Sequence, residues 1–298
     1  MSKNLSACSS NSKNNTKNKT EVLKVALICV CYNAYEDALR LLNSIEKAYS
    51  LTKNVELTVV LSDNSTSDND LKLIENIDLS FNYIYIKNDN VGYFPAFNLG
   101  VKAIKGNVND FDYTIVSNVD LTMDSDFFNV LKDLKLSNDI GVIAPKIISE
   151  QSGKDSNPKI KVRPTKRQIS FMRMLCSSSL AFSLYQKMTV LKLHLKKTSN
   201  NKNIENNANL SMYGAHGAFM IFTQLYFKTG AKIDYPRFLF GEEGFVAEEL
   251  RKHSLKIYHE TSLVIHDKEH GSTSTQPSKF ICKEHKKSYD YFYFNYMK

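Results

Sequence analysis

After Lys24 the chain runs VALICVC without a polar break and ends at Tyr32-Asn33. A run of that length reads as a strand buried on both faces, as in a parallel sheet. Ala38, Leu41, Leu42, Ile45 and Ala48 then recur at helical spacing. A second strand is expected over 55–61, stopped by Ser62-Asp63-Asn64-Ser65, and a short helix over 68–75. A third strand, 83–86, leads through the turn Asn90-Val91-Gly92-Tyr93 into a helix over 95–104. A fourth, 113–116, ends at Ser117-Asn118-Val119-Asp120. Asp124 is placed to cap a helix reaching Leu134, and 141–144 reads as a short fifth strand. Sheet-like patterns return at 217–223 and 255–265, the last stopping near His266. Strands alternating with helices predict an α/β fold with a mainly parallel, mixed sheet flanked by helices.

Residues 150–210 break this alternation. The segment opens as loop through Pro164. Leu180, Leu184, Met188, Leu191 and Leu195 then follow helical spacing with lysines interleaved, and 200–209 is polar. The organisation expected is a disordered tail at 1–22 and two halves of one domain at 23–149 and 211–275. A basic, partly helical insertion at 150–210 separates them, and a basic aromatic tail follows at 276–298.

Composition narrows the class. A hydrophobic share of 42% and a charged share of 23% suit a soluble globular chain. No apolar run approaches the roughly 18 residues needed to span a bilayer. Leu5-Ser6-Ala7-Cys8 looks like a lipoprotein cleavage box, but no hydrophobic segment precedes it. The five cysteines include no Cys-x-x-Cys pair, so neither a zinc knuckle nor a disulfide framework is indicated, and a reducing cytoplasm is expected.

The net charge of +8 is concentrated. Residues 151–210 carry 12 Lys and Arg against Asp155 and Glu205, more than the whole chain's excess. The segment around 166–197 therefore has two readings: an amphipathic helix packed on its own domain, or one lying on an anionic membrane surface. Nucleic acid is not an expected partner, because the basic residues lie outside the motif-bearing sheet.

Ligands in open α/β sheets sit beyond the carboxyl ends of the strands. Asn33, Asp63 and Asp120 each follow a different strand at that position. Near the C-terminal end, Gly241-Glu242-Glu243-Gly244 puts two carboxylates between glycines, a poor core sequence but a suitable place for general-base chemistry. His266, at the end of a strand, is placed to hold a metal or a proton.

The order of these pieces resembles the family 2 glycosyltransferases with the GT-A fold, especially bacterial enzymes of O-antigen and capsule synthesis, rhamnosyltransferases among them. The resemblance runs from about Val25 to Thr273. It is carried by Val30-Cys31-Tyr32-Asn33, Leu61-Ser62-Asp63-Asn64-Ser65, Asn90-Val91-Gly92 with Asn98-Leu99-Gly100, Ser117-Asn118-Val119-Asp120, Gly217-Ala218-Phe219-Met220, Gly241-Glu242-Glu243 and Val264-Ile265-His266. It implies an inverting transfer from a UDP- or dTDP-sugar to a hydroxyl of a glycan or a polyprenyl-linked acceptor, in the cytoplasm or on the inner face of the cytoplasmic membrane.

It also implies residue roles. Asp63 would accept a hydrogen bond from the base, with Tyr32, Asn33, Asn64, Asn90, Gly92, Asn98 and Asn118 lining the donor. Asp120 and His266 would hold Mn²⁺ or Mg²⁺. Glu243 would be the general base, although Glu242-Glu243 replaces the usual Glu-Asp pair and leaves the choice between the two open. Asn118 likewise stands where an acid is usual. Glu248 and Glu249, farther along, read as solvated helix acids. Two other readings stand beside this one: a nucleotide-sugar-binding protein without catalysis, and a nucleotidyltransferase. The latter would need a Gly-rich basic loop that Cys31-Tyr32-Asn33-Ala34-Tyr35 does not provide.

Overall fold

A computed structural model describes residues 22–75, 77–197, 212–268 and 278–298. The tail at 1–21, with Cys8, lies outside these residues, as do 198–211 and 269–277. The chain forms β1 (Leu23–Cys31), α1 (Tyr35–Ser50), β2 (Val55–Asp63), α2 (Lys72–Glu75), β3 (Asn82–Lys87), α3 (Tyr93–Ala103) and β4 (Tyr113–Asn118). These are followed by β5 (Leu121–Met123), α4 (Phe127–Asp133), β6 (Ile140–Ser149), α5 (Lys166–Leu175) and α6 (Ser179–Lys197). The last elements are β7 (Phe219–Thr223), α7 (Gln224–Lys228), α8 (Glu242–Lys252), β8 (Lys256–Asp267) and α9 (Ser278–Tyr296).

One 8-stranded sheet has the order β3-β2-β1-β4-β7-β6-β8-β5. β1 pairs parallel with β2 and β4, β2 with β3, and β6 with β8; β7 runs antiparallel to β4 and β6, and β5 to β8. The expected mixed, mainly parallel α/β fold is the one observed.

The period of two explains why β1 reads as continuously apolar. Val25, Leu27, Cys29 and Cys31 face the core under α1, while Ala26, Ile28 and Val30 face the core under α3 and α8. The α1 stripe Ala38, Leu41, Leu42, Ile45 and Ala48 is wholly buried. Each large side chain in it contributes about 1.5–3 kcal/mol by leaving water.

Several elements differ from expectation. β6 is longer than 141–144, because its carboxyl half continues along β8 to Ser149↔Asp267. β5 exists only through pairing, with Leu121, Thr122 and Met123 opposite Asp267, His266 and Ile265. The short helix expected from 68 is confined to α2; Asp70 has a positive φ of 65°, which no helix tolerates. Asp124 does not cap α4 directly; its Oδ1 accepts from the Asp126 N–H at 3.1 Å, one turn earlier. The basic segment is two helices, the first opened by a Thr165–Gln168 capping box. The C-terminal stretch is helical throughout α9.

Candidate active site

The carboxyl ends of β1 and β2 form one hydrogen-bonded floor. Asp63 is fully buried. Its Oδ2 accepts from Tyr35 Oη at 2.8 Å, Tyr85 Oη at 2.8 Å and Lys87 Nζ at 3.1 Å, and its Oδ1 from the Ser65 N–H at 2.8 Å. Burial alone would raise its pKa, but the hydrogen bonds from Ser65, Tyr85 and Tyr35 outweigh it and hold the carboxyl below its ordinary value. Asn33, at φ 50°, ties β1 to the next loop: its Oδ1 accepts from the Thr66 and Ser67 N–H groups at 3.0 and 3.3 Å. Asn64 is also buried. Its Nδ2 donates to the Gly92 carbonyl at 2.9 Å, while its Oδ1 is buried without a hydrogen-bond partner. Asp63→Asn should destabilise the protein by about 2–4 kcal/mol, because Lys87 and two tyrosines lose their anion. With a depressed folded-state pKa, the stabilising effect is present above the unfolded value and lost as pH falls through the folded one. Thermal unfolding of the two proteins against pH checks this.

Gly92 holds this floor against the opposite half of the site. Its φ is 95°, and a Cβ there would overlap the Phe238 carbonyl, which itself accepts from the Tyr93 N–H at 3.0 Å. Tyr32 and Asn90 are half-buried at the ends of β1 and β3, and Asn98 is half-buried on α3.

Glu242 and Glu243 open α8, turned by Gly241 at φ 92°. Burial raises both carboxyls. In Glu242 the charge of Glu243 adds to the rise. In Glu243 the Lys159 ammonium and the Gly217 and Gly241 backbone amides oppose it. The Glu243 charge thus disfavours ionisation of Glu242, and the negative charge rests more favourably on Glu243. Gly217 makes the space: a Cβ there would lie 2.7 Å from Glu242 Oε1 and 3.2 Å from Glu243 Oε1.

Lys159 enters from the loop before α5, its Nζ 3.2 Å from His216 Nε2. His216 Nδ1 accepts from the Ala218 N–H at 3.2 Å, and burial with the nearby Lys159 pushes its pKa down to about 3. Glu248 and Glu249 are not the solvated acids expected from sequence. Glu248 is buried against Arg163 Nε at 2.6 Å, Tyr213 Oη at 2.6 Å and Arg251 Nη1 at 2.9 Å, and Glu249 accepts from the Lys232 N–H at 3.0 Å. These pairs brace the helix that carries the two catalytic candidates.

Asp120 lies between β4 and β5. Burial, then the neighbouring Asp267 and Asp37 carboxylates, raise its pKa to about 6. The β5–β8 register sets His266 opposite Thr122, two positions along the chain from Asp120. Asn118 ends β4, its N–H donating to the Ala218 carbonyl at 2.8 Å. Among the described residues no group of three or more His, Cys, Asp or Glu is arranged to hold a metal alone. Of its acidic neighbours, Asp37 is paired with Arg40 at 3.2 Å and with Lys268 at 3.1 Å, so a cation held by Asp120 would be completed by substrate phosphates and water.

Tyr93 joins the halves. Its hydroxyl donates to the Gly217 carbonyl at 2.7 Å, and burial followed by the charges of Glu242, Asp120 and Glu243 drives its pKa upward. The charges of all three carboxylates thus reach one half-buried phenol. Sequence reading passes over Tyr93 as a turn residue and Lys159 as part of a loop, and takes Gly217 as part of a motif without a role for its missing side chain. None of the three carries a periodic signal.

Residues 26–223 match the sequence pattern described as Glycosyl transferase family 2. No curated protein matches the chain significantly. Among solved structures, S. aureus TarS 1-349 in complex with UDP-GlcNAc has a TM-score of 0.51 at 12% identity, over 86% of this chain and 62% of that one. TarS 1-349 alone gives 0.50 at 12%, over 83% and 60%. The mannosyltransferase PcManGT from Pyrobaculum calidifontis in complex with GDP-Man and Mn²⁺ gives 0.49 at 13%, over 91% and 70%. The chain spans 37% of the longer TarS structure. At these identities the TarS likeness establishes the fold.

Proposed function

The chain belongs to glycosyl transferase family 2, and on that premise we propose an inverting transferase that moves a sugar from a UDP- or dTDP-sugar to a hydroxyl of a cell-surface glycan or a polyprenyl-linked acceptor. The observation that carries this reading is the half-buried carboxylate pair whose charges, with that of Asp120, reach the Tyr93 hydroxyl. The pair would supply a base and Asp120 a charge at the phosphate side, as a single displacement needs.

Glu243 takes the proton from the acceptor hydroxyl. That oxygen bonds to the anomeric carbon as the bond to the diphosphate oxygen breaks, and the electron pair leaves on the nucleoside diphosphate. Glu242, holding a proton, keeps a second negative charge away from the base. Asp120, with His266 at the neighbouring strand end, would hold Mn²⁺ or Mg²⁺. A bound cation would neutralise charge developing on the leaving diphosphate. Residues 23–149 would bind the donor and 211–275 the acceptor.

Base recognition falls to the Asp63–Asn64 pair. Asp63 fixes the floor, and Asn64 holds the Gly92 turn that would border the base, its Nδ2 donating to the Gly92 carbonyl at 2.9 Å. Asn64→Ala should weaken UDP binding about tenfold and narrow the preference for UDP over ADP, read by calorimetry. An unchanged preference would remove Asn64 from base recognition.

The reading as a whole is tested by thermal shift against a panel of nucleotide sugars with Mn²⁺, repeated on Asp120→Ala. A donor should stabilise the wild type and not the variant. Equal stabilisation of both, or none with any donor, contradicts the proposal.

A further inference from the structure

The helices α5 and α6 carry more than the site needs. Their inner faces are docked on α9. Ile169 is buried, Arg173 Nε meets Asp290 Oδ1 at 2.6 Å and its guanidinium lies 4.1 Å from the centre of the Tyr293 ring. Phe182 is buried beside His285, with ring centres 5.5 Å apart.

Their outer faces are apolar and bare. On α5 the residues Arg167, Phe171 and Met174 recur at i, i+4 and i+7, which is one side of a helix. Phe171 is 47% and Met174 67% exposed. On α6 the residues Leu180, Leu184, Lys187 and Met188 likewise share a side, with Leu180 83%, Leu184 61% and Met188 61% exposed. Phe171 and Tyr185 touch edge to face at 6.2 Å, which joins the two stripes into one surface.

A soluble chain rarely leaves so many large apolar side chains together in water. The charges around them point to what covers them. Arg167 and Lys187 are exposed on these stripes, and no Asp or Glu occurs from 156 to 204. An apolar stripe on helices that carry cations and no acids of their own complements an acyl boundary beneath anionic headgroups.

We infer that the outer face of α5 and α6 is a peripheral membrane-docking surface, with Phe171, Met174, Leu180, Leu184 and Met188 seated at the acyl boundary of an anionic bilayer and Arg167 and Lys187 among the headgroups. The surface is fixed to the site. Arg163, just before α5, is paired with Glu248 on α8 at 2.6 Å, and Ile160 bridges to Gly214 beside the carboxylate pair. A lipid-linked acceptor would therefore reach Glu243 from the docked side. That purpose rests on the proposed transferase function; the docking itself does not and is tested without turnover.

The full chain is floated with vesicles of phosphatidylcholine containing phosphatidylglycerol, and with phosphatidylcholine alone. It should rise with the first and not the second. Leu184→Glu with Met188→Glu, and separately Arg167→Glu with Lys187→Glu, should each lower the floated fraction about tenfold or more. Both variants should keep the wild-type circular dichroism and the donor-induced thermal shift. Failure of the wild type to float on anionic vesicles, or flotation of both variants equal to that of the wild type, overturns the inference. So does light scattering that shows a wild-type dimer turned monomeric by Leu184→Glu, because the face would then bind a second copy.

Discussion

Glu243→Gln is expected to lower sugar transfer by about 10²–10⁴-fold, the usual range for loss of a general base, while donor affinity stays within about twofold. Gln preserves the shape and the contacts around Gly217 but cannot take a proton. The same measurement on Glu242→Gln separates the two acids. If Glu242 holds a proton, an amide is a fair substitute for its neutral form, and the rate falls far less.

The pH profile follows from the same geometry. Burial raises the Glu243 carboxyl above the ordinary glutamate value. A base must be ionised to act, so the transfer rate should climb with pH through that raised pKa and plateau above it. An acid limb near an unperturbed glutamate would mean that the pair is solvated during turnover. A larger loss in Glu242→Gln than in Glu243→Gln would reverse the assignment.

Asp120→Asn is expected to weaken metal-dependent donor binding by about 100-fold or more, because a neutral amide cannot replace an anionic ligand to a hard cation. The Asp120 pKa is raised to about 6 by burial and by Asp267 and Asp37. Protons therefore compete with the cation, and wild-type donor affinity should rise with pH through about 6 and then level off. The Asn variant should lose that dependence together with its response to added Mn²⁺. Calorimetric titration of the donor across pH, with and without metal, reads both effects.

The legible parts of this protein are those where one residue pattern has one physical cause. β1 and β2 are covered on both faces, so they read as unbroken apolar runs. The polar residues that follow them stand out because buried strands end where ligands enter. α9 was hidden for the opposite reason. The buried residues of α9 include Glu284 and Ser288, and Ser288 Oγ lies 3.2 Å from Tyr235 Oη, so a polar residue does the packing of an apolar one. β5 has three residues and owes its existence to β8. Lys159 reaches the carboxylate pair through a loop whose path depends on Asn157, which receives the His216 N–H at 2.8 Å and donates to the Pro145 carbonyl at 2.7 Å. No local pattern encodes a contact between residues so distant in the chain.

The fold and the family were within reach of sequence because the motifs mark strand ends in a fixed order. The acid–base assignment was not. Glu242 and Glu243 are chemically equivalent on paper, and the backbone amides of Gly217 and Gly241, which oppose the rise in Glu243, distinguish them.

The most direct test is release of nucleoside diphosphate from the donor that stabilises the wild type, measured with glycan acceptors for wild type and Glu243→Gln side by side. The account predicts acceptor-dependent release by the wild type and release lower by about two orders of magnitude or more in the variant, at undiminished donor binding. Equal release by both proteins, or donor binding by the wild type with no release for any acceptor, would contradict it.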